Sequence, residues 1–173
     1  MDLNLYLAFL ATSILFIVIP GPNVLVVVAT SLQAGWRRGL QTVVGTSLAM
    51  VIQLAVAALA TSGLLVALNV GLRWLKWAGV IYLAILGVRA LRHAWRPMPE
   101  PLPGAIGSLQ RGFWISLTNP KTILFFSAFL PQFVSPAGDA VSQLMLLSVS
   151  FWGLATLLDS TYVLAADRLR WLG

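Results

Sequence analysis

The chain has 173 residues, 59% hydrophobic and only 9% charged, with a mean hydropathy of +0.90. A soluble domain is about a quarter charged, so too few charges remain here to coat a water-exposed surface. The net charge of +6 would suggest nucleic acid in a soluble protein. Here the cations stand at the ends of apolar runs, and no basic patch with interleaved aromatics occurs in a polar region. That pattern argues for membrane topology and against nucleic acid.

The chain reads as a single transmembrane domain, 1–173, too short for two ordinary domains. It has no cysteine and one histidine. It therefore offers no thiolate, disulfide or clustered metal ligands. No phosphate-binding loop and no Gly-x-Ser-x-Gly is present, so no enzyme, cofactor or metal is expected.

The first predicted span runs from Asn4 to Thr30 and is interrupted by Ile19-Pro20-Gly21-Pro22-Asn23. Each proline removes a backbone donor and clashes with the carbonyl four residues earlier. In a bilayer such a break is tolerated only inside protein or beside a wet cavity. The segment does not read as a signal peptide, because Asp2 stands where a cation belongs and Pro-Gly-Pro interrupts its end.

The second predicted span, Leu40 to Leu68, carries Thr42, Thr46, Ser47, Thr61 and Ser62. Small hydroxyl residues let membrane helices pack closely. Gln53 differs, since an amide in mid-span needs a partner. The third span is predicted from Leu72 to Leu91, with Trp74, Trp77, Tyr82 and Trp95 suited to the interfaces. A proline-rich polar linker follows, with Pro97, Pro99, Pro101 and Pro103. It divides a first half, 1–92, from a second, 112–173, and covers 93–111. His93 and Glu100 in or near it read as solvated residues.

The fourth span, Gly112 to Phe133, is broken near its start at Ser116-Leu117-Thr118-Asn119-Pro120-Lys121. The fifth, Val141 to Ala166, carries Asp159. An outside N-terminus puts Arg37, Arg38, Arg89, Arg92, Arg96, Arg111, Arg168 and Arg170 inside, and only Arg73 and Lys76 outside. The positive-inside rule favours that orientation.

The paired breaks in spans one and four suggest an inverted repeat, a common transporter plan, with substrate bound between the broken helices. Lys121 and Asp159 are charges within spans, each costing about 2.5–3.5 kcal/mol on insertion scales. Both lie roughly 10–14 Å from the inner face at the helical rise, so they can meet. They read either as part of a substrate or proton pathway, or as a structural ion pair with Lys121 snorkelling. Unwound carbonyls at the breaks can bind an ammonium, and exposed helix N-termini a carboxylate. Asn23 and Asn119 can donate and accept, which suits a zwitterion. The candidate pathway residues are therefore Pro20, Gly21, Pro22, Asn23, Gln53, Asn119, Pro120, Lys121 and Asp159.

Three stretches carry a resemblance to a known family. They are Pro20-Gly21-Pro22-Asn23, Lys76-Trp77-Ala78-Gly79 with Tyr82-Leu83 and Leu86-Gly87, and Leu117-Thr118-Asn119-Pro120-Lys121 with Phe129-Leu130-Pro131-Gln132-Phe133. Asp159 also falls where such proteins often carry an acid. The chain resembles the LysE/RhtB family of bacterial amino-acid exporters over nearly its whole length. The resemblance implies an all-α membrane protein of the bacterial inner membrane, built as a six-helix bundle of two inverted three-helix repeats. It also implies proton-driven export of amino acids or related metabolites, and it allows a homodimer. Five transmembrane helices are predicted, with helices 1 and 4 broken and the family's sixth span missing. A truncated, non-transporting membrane module and a passive channel are the alternatives.

Overall fold

A computed structural model of the chain describes residues 1–67, 107–136 and 138–170, with the backbone alone at 59–67 and 170. The described residues form helices and their connections, with no strand among them. Helix α1, Leu3–Val18, starts at Asp2, whose carboxylate accepts from Asn4 N at 2.8 Å. Helix α2, Pro22–Ala34, follows with Pro22 in its first turn, where a missing N–H costs nothing. The axes of α1 and α2 differ by 50°. Gly35, at φ 82°, ends α2 in a conformation that side chains disfavour, and Trp36 opens helix α3, Trp36–Ala67.

The second half begins with α4, Ser108–Leu117, and α5, Pro120–Leu124. A π-helical turn over Phe125–Phe129 and a 3-10 turn over Leu130–Phe133 continue it. Helix α6, Ala140–Arg170, closes the described chain. At its start Ser142 N donates to Asp139 Oδ2 at 2.8 Å. Hydrogen bonds from Ser142 hold the exposed Asp139 carboxyl below the ordinary carboxylate range.

Among the described residues α3, over Trp36–Ala58, and α6, over Ala140–Leu169, are long and apolar enough to cross a membrane. A third crossing is added if the bent pair α1–α2 is one span. The expected third span and most of the proline-rich linker lie outside the described residues. The expected fourth span is divided into α4, α5, the π turn and the 3-10 turn.

Among the described residues the outer face is apolar, and a set of polar side chains is buried. Val44, Leu48, Val51, Ile52 and Val56 on α3 are exposed, as are Met145, Val149, Leu157 and Leu164 on α6. The buried set includes Thr42, Thr46, Ser47, Gln53, Asn119 and Asp159. Such an outer face suits hydrocarbon, which needs no polar coat.

Burial along each long helix has helical spacing. On α6 the buried positions are Gln143, Leu144, Leu147, Phe151, Ala155, Asp159, Val163 and Ala166. Asp159 thus sits on the core stripe of its helix. Two apolar clusters flank it. One gathers Phe9, Ile17, Met50, Phe125, Phe126 and Phe151, and the other Val26, Val27, Val43 and Val163. Along α1–α2, α3 and α6 alike, the chain passes from one cluster through a polar layer to the other.

Close backbone approach fixes α4 against α3. A Cβ on Gly45 would stand 2.0 Å from Leu109 O, and one on Gly112 would stand 2.3 Å from Thr42 O. Only glycine fits this interface, as small residues do generally where membrane helices touch.

Candidate functional site: the junction of two helix breaks

The polar layer is built from the two breaks. Three prolines create the problem it solves. A helical residue donates its N–H to the carbonyl four positions back, so Pro20, Pro22 and Pro120 leave Phe16, Val18 and Ser116 without their helical partners. A carbonyl without a partner costs about 1–3 kcal/mol where it is buried, and less at the exposed Val18. Each of the three is met by a side chain from a distant part of the chain. Lys121 Nζ donates to Phe16 O at 2.7 Å, and also to Ile19 O. The Tyr162 hydroxyl donates to Val18 O at 3.1 Å. Gln53 Nε2 donates to Ser116 O at 2.9 Å and to Leu117 O at 3.1 Å.

The breaks also bond to each other. Asn119 Nδ2 donates to Asn23 Oδ1 at 2.8 Å, and Asn23 Nδ2 donates to Ser116 Oγ at 3.1 Å. Ser116 Oγ donates onward to Thr46 O at 3.2 Å. Asn119 has a second task, because its Oδ1 accepts from Lys121 N at 3.0 Å and caps α5. Gly21, the corresponding cap of α2, offers no side-chain acceptor. The first N–H groups of α2 therefore keep their capacity for an anion.

A cavity of about 30 Å³ lies at this junction. Its wall includes Gly21, Asn23, Asn119, Lys121 and Asp159, with Phe16, Met50 and Phe151 on the apolar side. A single water needs roughly 10–15 Å³ by this measure. The space admits water and is too small for an amino acid, so the described conformation is closed.

Asp159 is 3% exposed and lines the cavity. No other described residue hydrogen-bonds its carboxylate. Lys121 shares the cavity without forming a direct ion pair with it. The lysine's ammonium instead serves the end of α1, where a cation also meets the negative end of the helix dipole.

The structure thus brings six of the sequence candidates, Gly21, Asn23, Gln53, Asn119, Lys121 and Asp159, into one hydrogen-bonded junction or its cavity wall, with Pro20, Pro22 and Pro120 as its cause. Pro22 and Pro120 are exposed and open α2 and α5. Tyr162 was not among the candidates. Its signal was its place three residues after Asp159, on the same face of a helix.

A membrane-type helical bundle, apolar on its outer face with a charged break within, is the class this architecture defines. The chain belongs to the LysE type translocator family, whose model matches residues 14–150. That family places it among membrane translocators rather than enzymes. It is 39% identical over 128 residues to an uncharacterized membrane protein of Pseudomonas aeruginosa, covering 69% of this chain and 59% of that relative's length. An uncharacterized membrane protein of Vibrio cholerae is 28% identical over 158 residues, 87% of this chain and 75% of the relative. A homoserine/homoserine lactone efflux protein of Salmonella typhi is 28% identical over 172 residues, 98% of this chain and 84% of the relative. No solved structure matches the chain.

Proposed function

We propose that the chain is the transporting domain of a proton-driven exporter of amino acids or close relatives across the bacterial inner membrane. One observation carries this reading: Lys121 and Asp159, of opposite charge, line one cavity, large enough for water, where two broken helices meet. Intramembrane ionisable groups are expensive and are functional by default. The relatives named for homoserine and homoserine lactone efflux support the class of substrate.

In this mechanism the cavity opens to admit the substrate. The substrate ammonium approaches Asp159, and its carboxylate approaches the uncapped N–H groups of α2 at Asn23 and Val24. Asp159 takes a proton when the ammonium leaves, which couples export to the proton gradient. The substrate path passes between Pro20-Gly21-Pro22-Asn23 and Asn119-Pro120-Lys121, with Gln53 holding the second break.

The five-span plan, with spans one and four broken and the halves 1–92 and 112–173 inverted, fits the junction of the two breaks. The orientation is N-terminus out. Trp36 N donates to Asp167 Oδ1 at 3.0 Å, which joins the start of α3 to the end of α6. Arg37, Arg38, Arg111 and Arg168 therefore gather at one end, the inner one. Asp2 and Asp139 open α1 and α6 at the other end. A homodimer is compatible with this arrangement.

The test is efflux from cells loaded with a panel of amino acids, with and without the chain. Accelerated loss of one class, abolished by a protonophore, is expected. Asp159→Asn should abolish that coupled loss while expression and membrane insertion persist. Undiminished export by the variant removes Asp159 from the mechanism. Flux indifferent to the proton gradient would make the protein a passive channel, and no flux for any substrate would make it a non-transporting module.

A further inference from the structure

The end of α1 has the composition of a cation site. The Phe16 and Ile19 carbonyls converge on one point, and both are bonded there by Lys121 Nζ. The ring of Phe16 lies beneath the same nitrogen, 4.4 Å from its centroid. Converging carbonyls replace the hydration shell of a small monovalent ion, and an aromatic face adds attraction for ammonium. The negative end of α1 contributes in the same direction.

Access to this point comes through Gly21. A Cβ there would stand 2.8 Å from Lys121 Cδ and 3.5 Å from Nζ. The glycine at the first break thus leaves room for the stem of a lysine rooted in the second. Its φ of −132° makes no demand for glycine, so space is the reason for it.

We propose that the end of α1 is a binding site for a small monovalent cation of ammonium size, occupied by the chain's own Lys121 ammonium. Lys121 is then a tethered ligand and a positioning residue. It holds the first break closed from the second, through the one contact that a free ion could also make. The proposal needs no transport and stands or falls apart from it.

The test uses the purified chain in detergent. Lys121→Met keeps an apolar stem and removes the charge. Its thermal unfolding midpoint is expected to fall and then to recover saturably with ammonium or methylammonium chloride. N-methylglucamine chloride at equal ionic strength, too large for the nest, should not restore it. The parent chain should respond alike to all three salts. A variant that answers the three salts equally overturns the site, as does a parent chain that rises with ammonium as much as the variant.

A measurement on the parent chain decides the matter even if the variant fails to fold. Lys76 and Lys121 are the chain's two lysines, so reductive methylation can be followed at each by peptide mass. Lys121 should react more than about tenfold slower in the native state than in denaturant, because charged hydrogen bonds must open first. Equal rates in both states would show that the ammonium is not engaged, and would overturn the proposal.

Discussion

The two breaks solve one problem with different chemistry. At the first, a cation and a phenol satisfy the carbonyls that Pro20 and Pro22 orphan. At the second, a neutral amide, Gln53, joins Asn119 N at the Ser116 carbonyl, which Pro120 leaves without its helical partner. The restarting helices differ too. Asn119 caps α5 with its side chain, whereas Gly21 leaves α2 uncapped. The second break is thus closed on itself, while the first has open N–H groups beside a cavity and a charge borrowed from its counterpart. This asymmetry suggests that the first break moves during function and the second supports it.

The sharpest way to test the asymmetry is to remove each asparagine. Asn119→Ala removes the α5 cap, worth about 1 kcal/mol, and leaves Asn23 Oδ1 buried without its donor, costing about 1–3 kcal/mol more. Asn23→Ala leaves an unpaired amide on Asn119 but removes no cap. Chemical unfolding in mixed micelles should therefore find Asn119→Ala the worse by about 1 kcal/mol. Because the two side chains touch, the double variant should lose less than the sum of the singles. Equal single losses would erase the distinction between a capped and an uncapped break.

Gln53→Leu comes next in size. It strips the Leu117 carbonyl of its amide, while Ser116 O keeps the bond from Asn119 N at 3.0 Å. Gln53 Oε1 is itself buried without a partner, so its loss offsets part of the cost. A net destabilisation of about 1–2 kcal/mol is expected. If the second break is a support, unfolding should shift while the pH dependence of efflux stays unchanged. A shifted pH dependence would place Gln53 in the moving part.

How far this junction is legible in the sequence can be traced residue by residue. The orphaned carbonyls are: counting four back from Pro20, Pro22 and Pro120 names Phe16, Val18 and Ser116 before any coordinates. The importance of Asn23, Asn119, Lys121 and Asp159 is legible as well, because polar groups in apolar spans demand partners. The pairing is not. Lys121 reaches Phe16 across 105 positions, Tyr162 reaches Val18 across 144, and Gln53 reaches Ser116 across 63. No local period relates such positions; tertiary packing alone selects the donor for each acceptor. Depth arithmetic put Lys121 and Asp159 at one level, and one cavity contains both. It could not show that the lysine's bonds go to the end of α1. The π turn at Phe125–Phe129 has no sequence signal either, since its apolar residues suit an α-helix equally.

Tyr162→Phe is the mildest break of the comparison and the most specific. It deletes one oxygen and leaves the ring in place on α6, one turn beyond Asp159. The Val18 carbonyl belongs to an exposed residue, so the loss of its hydrogen bond should cost only about 0.5–1 kcal/mol. Stability will hardly register it. If the first break is the moving one, however, that bond exists in the closed state and must open with it. Weakening the closed state by this amount should speed efflux by roughly twofold to fivefold where opening limits the rate. Tyr162 and Gln53 share no hydrogen-bond partner, so combining Tyr162→Phe with Gln53→Leu should give additive stability losses. Unchanged efflux in Tyr162→Phe, with its small stability loss present, would mean that the bond survives the cycle and that the first break is as fixed as the second.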